Sequence, residues 1–329
     1  MRQFDDALLE DDQRVADYGD RLSDLALLGA RLRLADTEPC LAIGANLVRP
    51  RAIIALGAEA RLLQAVVETQ CPVPFVAWML AGLPTWTSAL DLVVLLDGPD
   101  LELTQAADQA VRRGAQLMVV APADSGLNDR VPATAMIGLG RADPLVEAAV
   151  ALTSLATAGL GPALNLAELA DAVDQVAAVS GPRNPLGRNP AKDLACALAD
   201  SSPLVWGAPG LAARAARRVA GAIREATGWP ALAADESALM PLIAGSGRQD
   251  LFADPIEQPS RAPRFSVLLL QDDAGAAAGG RLWRAAQAKS IRVETIETAA
   301  GHPLIRYAEM LQQGLFAAAY LDLASVEEC

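Results

Sequence analysis

The sequence predicts an α/β protein in which parallel sheets are covered by helices on both faces. Short apolar runs, without alternating polar positions, alternate along the chain with longer alanine-rich stretches of helical periodicity. Strands with this uninterrupted apolar character are buried on both faces, as they are in parallel sheets. The alternation runs through two successive series, so the sequence predicts two doubly wound domains.

The first series contains four apolar runs and three helical stretches. A glycine closes the first run, and one face of the second helical stretch is formed by Leu101, Ala106, Ala107 and Ala110. The predicted strands are residues 52–57, 92–96, 116–121 and 135–139, and the predicted helices are residues 61–69, 101–114 and 144–157.

The second series repeats the pattern after a helix and a joint rich in proline, glycine and asparagine. The predicted order is a helix at 164–179, the joint at 180–190, strands at 203–207, 264–270 and 290–295, and helices at 210–227, 276–288 and 303–323. We therefore expect four parts. These are an acidic N-terminal helix (1–26), a first domain (27–160), a helical linker and joint (161–200), and a second domain (201–329).

Composition and charge exclude several classes of protein. The 329 residues are 52% hydrophobic and 20% charged, which is typical of folded globular chains. A net charge of −13 argues against nucleic-acid binding and against attraction to anionic membranes. The four cysteines are widely separated, the N-terminus is acidic, and no apolar run approaches the roughly 18 residues of a membrane span. We expect a cytoplasmic protein with no metal and no cofactor.

The segment "VVLLDGPDLELTQ" (residues 93–105) joins a buried strand to an amphipathic helix through a glycine turn. At such junctions, free backbone N–H groups bind anions. Here the turn carries Asp97 and Asp100, whose charges oppose a phosphate. Both carboxylates are also favoured as capping and first-turn residues when no ligand is bound. The residues alone leave open a neutral ligand, a cationic ligand, or none.

Five short words occur in an order that spans most of the chain. They are "GLPTW" (82–86), "LVVLLDGPDLEL" (92–103), "AVRRGA" (110–115), "NPAKDLACAL" (189–198) and "PLVWG" (203–207). This series resembles the bifunctional phosphoglucose/phosphomannose isomerases, which are tandem sugar-isomerase (SIS) domain proteins. It is most similar to the actinobacterial branch called TobH-like.

The resemblance implies two flavodoxin-like SIS domains and a homodimer. It also implies isomerisation of hexose 6-phosphates between aldose and ketose without a metal. This chemistry needs a phosphate anchor, a base that moves a proton between C1 and C2, and a group that opens the sugar ring. The turns at Gly57 and Gly98 correspond to ligand-binding turns of the family, although the glycine-serine turn after the first strand has become Ala58-Glu59 here. Asn189 and Lys192 match a family word.

The phosphate loop departs from the family pattern S-x-S-G-x-T-x-x-T. Gly98 remains, but the four hydroxyl positions hold Leu95, Asp97, Asp100 and Leu103. Two fixed negative charges near a phosphate cost roughly 1 kcal/mol or more each. We expect the turn to survive without its phosphate-binding chemistry.

The catalytic segment departs as well. The family has a glutamate in the word N-E-N-A-K and a histidine about 16 residues later. Asp235 or Glu236 could fill the acidic position here, whereas the histidine position falls on Leu251 or Phe252. Glu236 is a weak candidate for the base and could equally be a solvated carboxylate at a helix start. The chain's single histidine, His302, precedes a proline at an expected helix start, and its role stays open.

The joint offers an alternative anion site. Arg183, Arg188 and Lys192 form a dense positive cluster without an intervening acid, and Asn189 lies within it. A turn with solvated charges, capped by Asn189, explains the same residues. Gly207 ends a predicted strand and would allow a ligand to approach the backbone closely, although topology alone could also require it.

These observations favour a member of the phosphosugar isomerase family that has lost isomerase activity. It would bind a sugar phosphate, or a partner enzyme of mannose or glucose activation. The alternative is an active isomerase of hexose 6-phosphates with relocated catalytic groups. A third possibility is a structural subunit without a metabolite.

Overall fold

A computed structural model describes residues 2–35, 37–96, 103–141, 143–246, 264–272, 279–298 and 301–327. The chain divides into two compact units. Gly29–Ala170 forms one unit, and Met1–Leu28 together with Asp171–Cys329 forms the other. Parallel sheets flanked by helices confirm the predicted α/β class. The predicted division of the chain into four parts stays a prediction.

Several short elements occupy the N-terminal segment in place of one helix. They are β1 (Arg2–Phe4), a 3-10 helix (Asp6–Glu10), α1 (Asp12–Asp17) and α2 (Gly19–Ala26). Aspartate side chains cap the starts of the 3-10 helix and of α1. The Asp5 carboxylate accepts a hydrogen bond from the Ala7 backbone N–H, and Asp11 accepts one from the N–H of Arg14. Such caps satisfy N–H groups that a helix start leaves without partners.

The elements of the Gly29–Ala170 unit follow the first predicted series, with two helices added before it and one strand added within it. In chain order they are α3 (Leu28–Leu34), α4 (Thr37–Asn46), β2 (Ile53–Leu56), α5 (Ala60–Val67), β3 (Phe75–Ala77), β4 (Leu92–Leu96), α6 (Thr104–Arg113), β5 (Gln116–Pro122), β6 (Met136–Leu139) and α7 (Pro144–Thr157). The next helix, α8 (Leu166–Ser180), has its first residues in this unit and the rest in the other.

The five strands of this unit form one parallel sheet in the order β3-β2-β4-β5-β6. This is the flavodoxin-like order, in which the chain reverses its winding between β2 and β4. Strands β2 and β4 are buried along their whole length, as their apolar sequences predict. The sequence missed β3 because its three half-buried residues are too few to show a pattern.

The second series is also richer in elements than its sequence pattern suggests. In chain order, after a 3-10 turn (Leu186–Arg188), come α9 (Pro190–Leu198), β7 (Ser202–Gly207), α10 (Leu211–Thr227), β8 (Leu232–Ala233), α11 (Glu236–Gly245), β9 (Phe265–Asp272), α12 (Gly280–Ala288), β10 (Arg292–Thr298), α13 (Pro303–Leu323) and β11 (Ser325–Glu327).

Strands β7 to β10 form a parallel sheet in the order β10-β9-β7-β8. The winding therefore reverses between β7 and β9, and ligands of such sheets bind at the carboxyl ends of the strands near that reversal. β1 pairs with β11 in a separate antiparallel ribbon. Within the part of the chain that the structure describes, no helix is both long and apolar enough to cross a membrane.

Candidate functional site

The winding reversal of the Gly29–Ala170 sheet is shaped by a glycine and lined by apolar side chains. Gly57 follows β2 with φ +114°, and a Cβ at this position would overlap the carbonyl oxygen of Leu96. Leu95 and Leu103 are almost fully buried and belong to the hydrophobic core of this unit. Two of the four hydroxyl positions of the family loop are therefore core positions that cannot donate a hydrogen bond. Gly98, Asp97 and Asp100 lie outside the described residues.

A cavity of about 550 Å³ lies at the carboxyl ends of β7 and β8. Its walls are the last residues of these strands and the first turns of α10 and α11. The lining residues are Trp206, Gly207, Pro209, Ala213, Ala216, Arg217, Ala233, Ala234, Asp235, Glu236 and Ser237. Its volume lies within the range of roughly 300–1,000 Å³ that is usual for small-molecule sites.

The acidic wall of the cavity is the start of α11. Asp235 caps this helix, because its Oδ1 accepts hydrogen bonds from the Ser237 hydroxyl at 2.7 Å and from the Ala238 N–H at 3.0 Å. These hydrogen bonds lower the pKa of Asp235, so it is a carboxylate at neutral pH. The Glu236 Oε1 lies 3.0 Å from the Arg281 Nη1 on α12. Two carboxylates and a hydroxyl thus share one helical turn.

The basic wall of the cavity is Arg217, in the second turn of α10. Its side chain is exposed, and no described residue pairs with its guanidinium group. Gly207 ends β7 so close to α10 that a Cβ would lie 2.6 Å from the backbone nitrogen of Ala213 and nearer still to Ala212. The structure therefore explains the glycine by helix–strand packing, and also places it on the cavity wall.

The predicted cationic cluster of the joint is divided by burial. Arg183 and Arg188 are exposed, whereas Lys192 is only 1% exposed. The Lys192 Nζ lies 2.9 Å from the Glu10 Oε1 and donates to the Pro182 carbonyl at 3.2 Å. A ligand-binding role for these three cations stays a prediction.

Asn189 is the N-cap of α9. Its Oδ1 accepts from the N–H groups of Ala191 and Lys192, and its Nδ2 donates to the carbonyls of Ser180 and Gly181, all at 3.0–3.1 Å. The carboxamide thus links the start of the joint to the first turn of α9 through four hydrogen bonds. Binding of a ligand by this residue also stays a prediction.

His302 starts α13, as its position before Pro303 predicts. Its Nδ1 accepts a hydrogen bond from the Leu304 N–H at 3.2 Å, so the ring replaces a backbone partner at the helix end. It is not among the residues that line the cavity.

Three residues named from the sequence, Gly207, Asp235 and Glu236, line the cavity. Sequence reasoning did not single out Arg217 and Ser237, which also line it, or Arg281, which pairs with Glu236. One signal was available, because Arg214, Arg217 and Arg218 have helical spacing just after a strand-to-helix glycine turn. The Arg281–Glu236 pair had no such signal. It joins residues that are distant in sequence, and only the packing of α12 beside α11 brings them together.

No protein-family model and no curated protein matches the sequence. Solved structures do match, and several of them are described as phosphosugar isomerases or as isomerase-like proteins. The chain is 18% identical to a glucose-6-phosphate isomerase-like protein from Thermus thermophilus, with a TM-score of 0.53 over 89% of this chain and 91% of that chain.

Two further solved structures match over nearly the whole chain. The C-terminal domain of glucosamine-fructose-6-phosphate aminotransferase from Francisella tularensis is 12% identical, with a TM-score of 0.58 over 94% of this chain and 95% of that chain. Glucosamine-6-phosphate deaminase from Thermotoga maritima is 11% identical, with a TM-score of 0.57 over 94% and 93%. TM-scores of 0.53–0.58 over nearly the whole chain show a shared fold, which is the SIS-type α/β fold that the sequence predicts.

Proposed function

We propose that this chain is a protein of sugar-phosphate metabolism that binds a phosphorylated sugar, or regulates a partner enzyme, without isomerising the sugar. It would stand close to the phosphoglucose/phosphomannose isomerases, in their TobH-like branch, and would act as a homodimer. The observation that carries the proposal is the cavity at the carboxyl ends of β7 and β8. One of its walls holds an arginine with no described partner, and the other holds clustered oxygen acceptors.

The two walls suit the two ends of a sugar phosphate. A guanidinium group donates several N–H bonds in a fixed fork and binds phosphate well, and Arg217 has no described partner to lose. Sugar hydroxyls need acceptors, and the carboxylates of Asp235 and Glu236 supply them beside the Ser237 hydroxyl. The buried Trp206 and the alanines supply an apolar wall for the carbon face of a ring.

The same geometry supports binding over catalysis. Isomerisation needs a mobile proton carrier and a second group to open the ring. The Glu236 Oε1 is already held by Arg281 at 3.0 Å, and no histidine is among the lining residues. Leu95 and Leu103 are core residues where the family has hydroxyl groups. Each of these differences removes one component of the reaction.

An active isomerase is the second candidate. It is favoured by one observation, that Glu236 lines the cavity at the position where the family resemblance expects the acidic residue. If the chain is an isomerase, Glu236 would carry the proton between C1 and C2 after Arg281 moves away.

The proposal of a binding protein predicts the opposite. We expect no conversion of fructose 6-phosphate to glucose 6-phosphate or mannose 6-phosphate above background. Turnover that is lost in Glu236→Gln would support the isomerase instead.

Binding can be tested by thermal unfolding in the presence of glucose 6-phosphate, fructose 6-phosphate and mannose 6-phosphate at low salt. A ligand at 100 times its Kd adds about 2.7 kcal/mol of stability. Arg217→Ala should weaken binding about tenfold or more, since a hydrogen bond to a charged group contributes roughly 1.5–3 kcal/mol. Arg112→Ala is the matched control, because Arg112 is an exposed arginine of α6 that has no partner among the described residues and does not line the cavity. If the two variants bind the sugar phosphate with equal affinity, Arg217 does not hold the phosphate and the cavity is not the binding site.

A further inference from the structure

We propose that the joint between α8 and α9 is an anion site that Glu10 fills from within the same molecule, so that Glu10 competes with a phosphate group from solution. The residues of the joint are not among those that line the cavity. A site of this kind explains why a cationic joint in an acidic chain is also the place where the N-terminal segment is fastened.

Glu10 is bound in the way that an external anion would be. Its Oε1 lies 2.9 Å from the Lys192 Nζ and accepts a hydrogen bond from the Leu186 backbone N–H at 2.8 Å. An ammonium group and a free backbone N–H are the donors that also bind phosphate oxygens in proteins. The Glu10 side chain is 46% exposed, so it can leave these donors by rotating into water.

Lys192 requires an anion at this place. Its side chain is 1% exposed, and the Nζ lies 5.8 Å from the centre of the Tyr320 ring. Burial raises the pKa of Tyr320 to about 12, so the phenol stays neutral and does not balance the charge. When Glu10 leaves, the buried ammonium of Lys192 keeps only the Pro182 carbonyl as a hydrogen-bond acceptor, and a buried charge without a counter-charge is unfavourable. Without Glu10, the joint would recruit a negative group from solution.

Two further cations flank the contact in sequence. Arg183 follows Pro182, whose carbonyl accepts from Lys192, and Arg188 lies two residues after Leu186, whose N–H donates to Glu10. Both arginines are exposed, and neither has a partner among the described residues. Three cations therefore lie within the stretch 183–192, and the carboxylate of Glu10 pairs with one of them, Lys192. A phosphate monoester, with a charge near −2 and three acceptor oxygens, matches that charge better.

Glu10 acts as a tethered competitor. A group held on the same chain has an effective concentration in the millimolar range, and a ligand from solution must exceed this to displace it. Apparent affinity for phosphate is reduced by the fraction of molecules in which Glu10 occupies the donors. Any event that draws the N-terminal segment away would raise that affinity.

The test compares Glu10→Gln with Asp12→Asn. Asp12 is an exposed acid of α1 without a described partner, so both variants remove one charge from the same segment. Inorganic phosphate is titrated by calorimetry into each variant on an Arg217→Ala background, which removes the cavity from the measurement. We expect Glu10→Gln to bind phosphate at least tenfold more tightly than its parent, and Asp12→Asn to match the parent.

Lys192→Met added to Glu10→Gln should abolish the gain, and phosphate should restore the thermal stability that Glu10→Gln loses. Circular dichroism and a cooperative unfolding transition check the fold. Should Glu10→Gln not fold, Glu10→Asp shortens the tether by one methylene while keeping the charge, and a severalfold gain is expected. Unchanged phosphate affinity in the folded variants would overturn the proposal, and so would an equal gain in Asp12→Asn; Glu10 would then be a structural clamp only.

Discussion

Alanine at Gly57 should destabilise the Gly29–Ala170 unit more than alanine at any of three comparison glycines of the same unit. Gly57 combines a positive φ of +114° with a Cβ position that overlaps the Leu96 carbonyl oxygen. Left-handed backbone costs an L-residue about 1–2 kcal/mol, and an overpacked contact typically costs about 1–3 kcal/mol. We expect a loss of about 4 kcal/mol when both apply.

The comparison glycines separate the two costs. Gly159 has φ +70° and no atom within 4 Å of a Cβ, so Gly159→Ala should cost about 1 kcal/mol. Gly44 has no positive φ, but its Cβ would lie 2.5 Å from the Ser154 carbonyl oxygen, so Gly44→Ala should cost about 2 kcal/mol. Gly138 has neither feature, and Gly138→Ala should be neutral or slightly stabilising.

Urea unfolding followed by circular dichroism gives the free energies, and hydrogen exchange of the β2 and β4 amides reports this unit specifically. For a unit of this size, each kcal/mol shifts the Tm by about 3 °C. If Gly57→Ala is no more destabilising than Gly159→Ala, the inference that the end of β4 leaves no room for a Cβ at Gly57 is refuted. The turn at the winding reversal would then be free to accept a side chain.

Three other outcomes are expected. Asp91→Asn should cost about 2 kcal/mol at pH 7, because Asp91 is fully buried and held by the half-exposed Arg51. Burial raises the Asp91 pKa, but hydrogen bonds from Arg51 and Ser88 outweigh it and hold the pKa below its usual value. This stability is present above the unfolded pKa of about 3.9 and is lost as pH falls through the folded pKa, so urea unfolding should show the variant and parent converging at low pH. Asp97→Ser should leave the affinity for a sugar phosphate unchanged or improve it, as calorimetry can measure, and abolished binding would mean that the loop is a working site. Light scattering at micromolar concentration should show a homodimer, and a monomer would count against the proposed relationship to the isomerases.

Local patterns were enough to predict most of the longer strands and helices and several of their ends. Residues 92–96, 144–157 and 303–323 form the strand and helices that their apolar spacing predicts. Asn189 and His302 cap helices, as their positions before prolines suggest. These outcomes follow from interactions within one or two turns, which depend on residues adjacent in sequence.

Only the tertiary structure decided which side chains share a site. Arg183, Arg188 and Lys192 are close in sequence, yet Lys192 is buried against Glu10 whereas the two arginines are exposed. Arg217 and Glu236 meet at one cavity because β8 returns beside β7. Strand order and the winding reversal set such proximities, and they depend on contacts between residues far apart in the chain. The sequence of one chain determines which face of its helix or strand each residue occupies. The packing of the whole unit determines which residue of another element lies against that face.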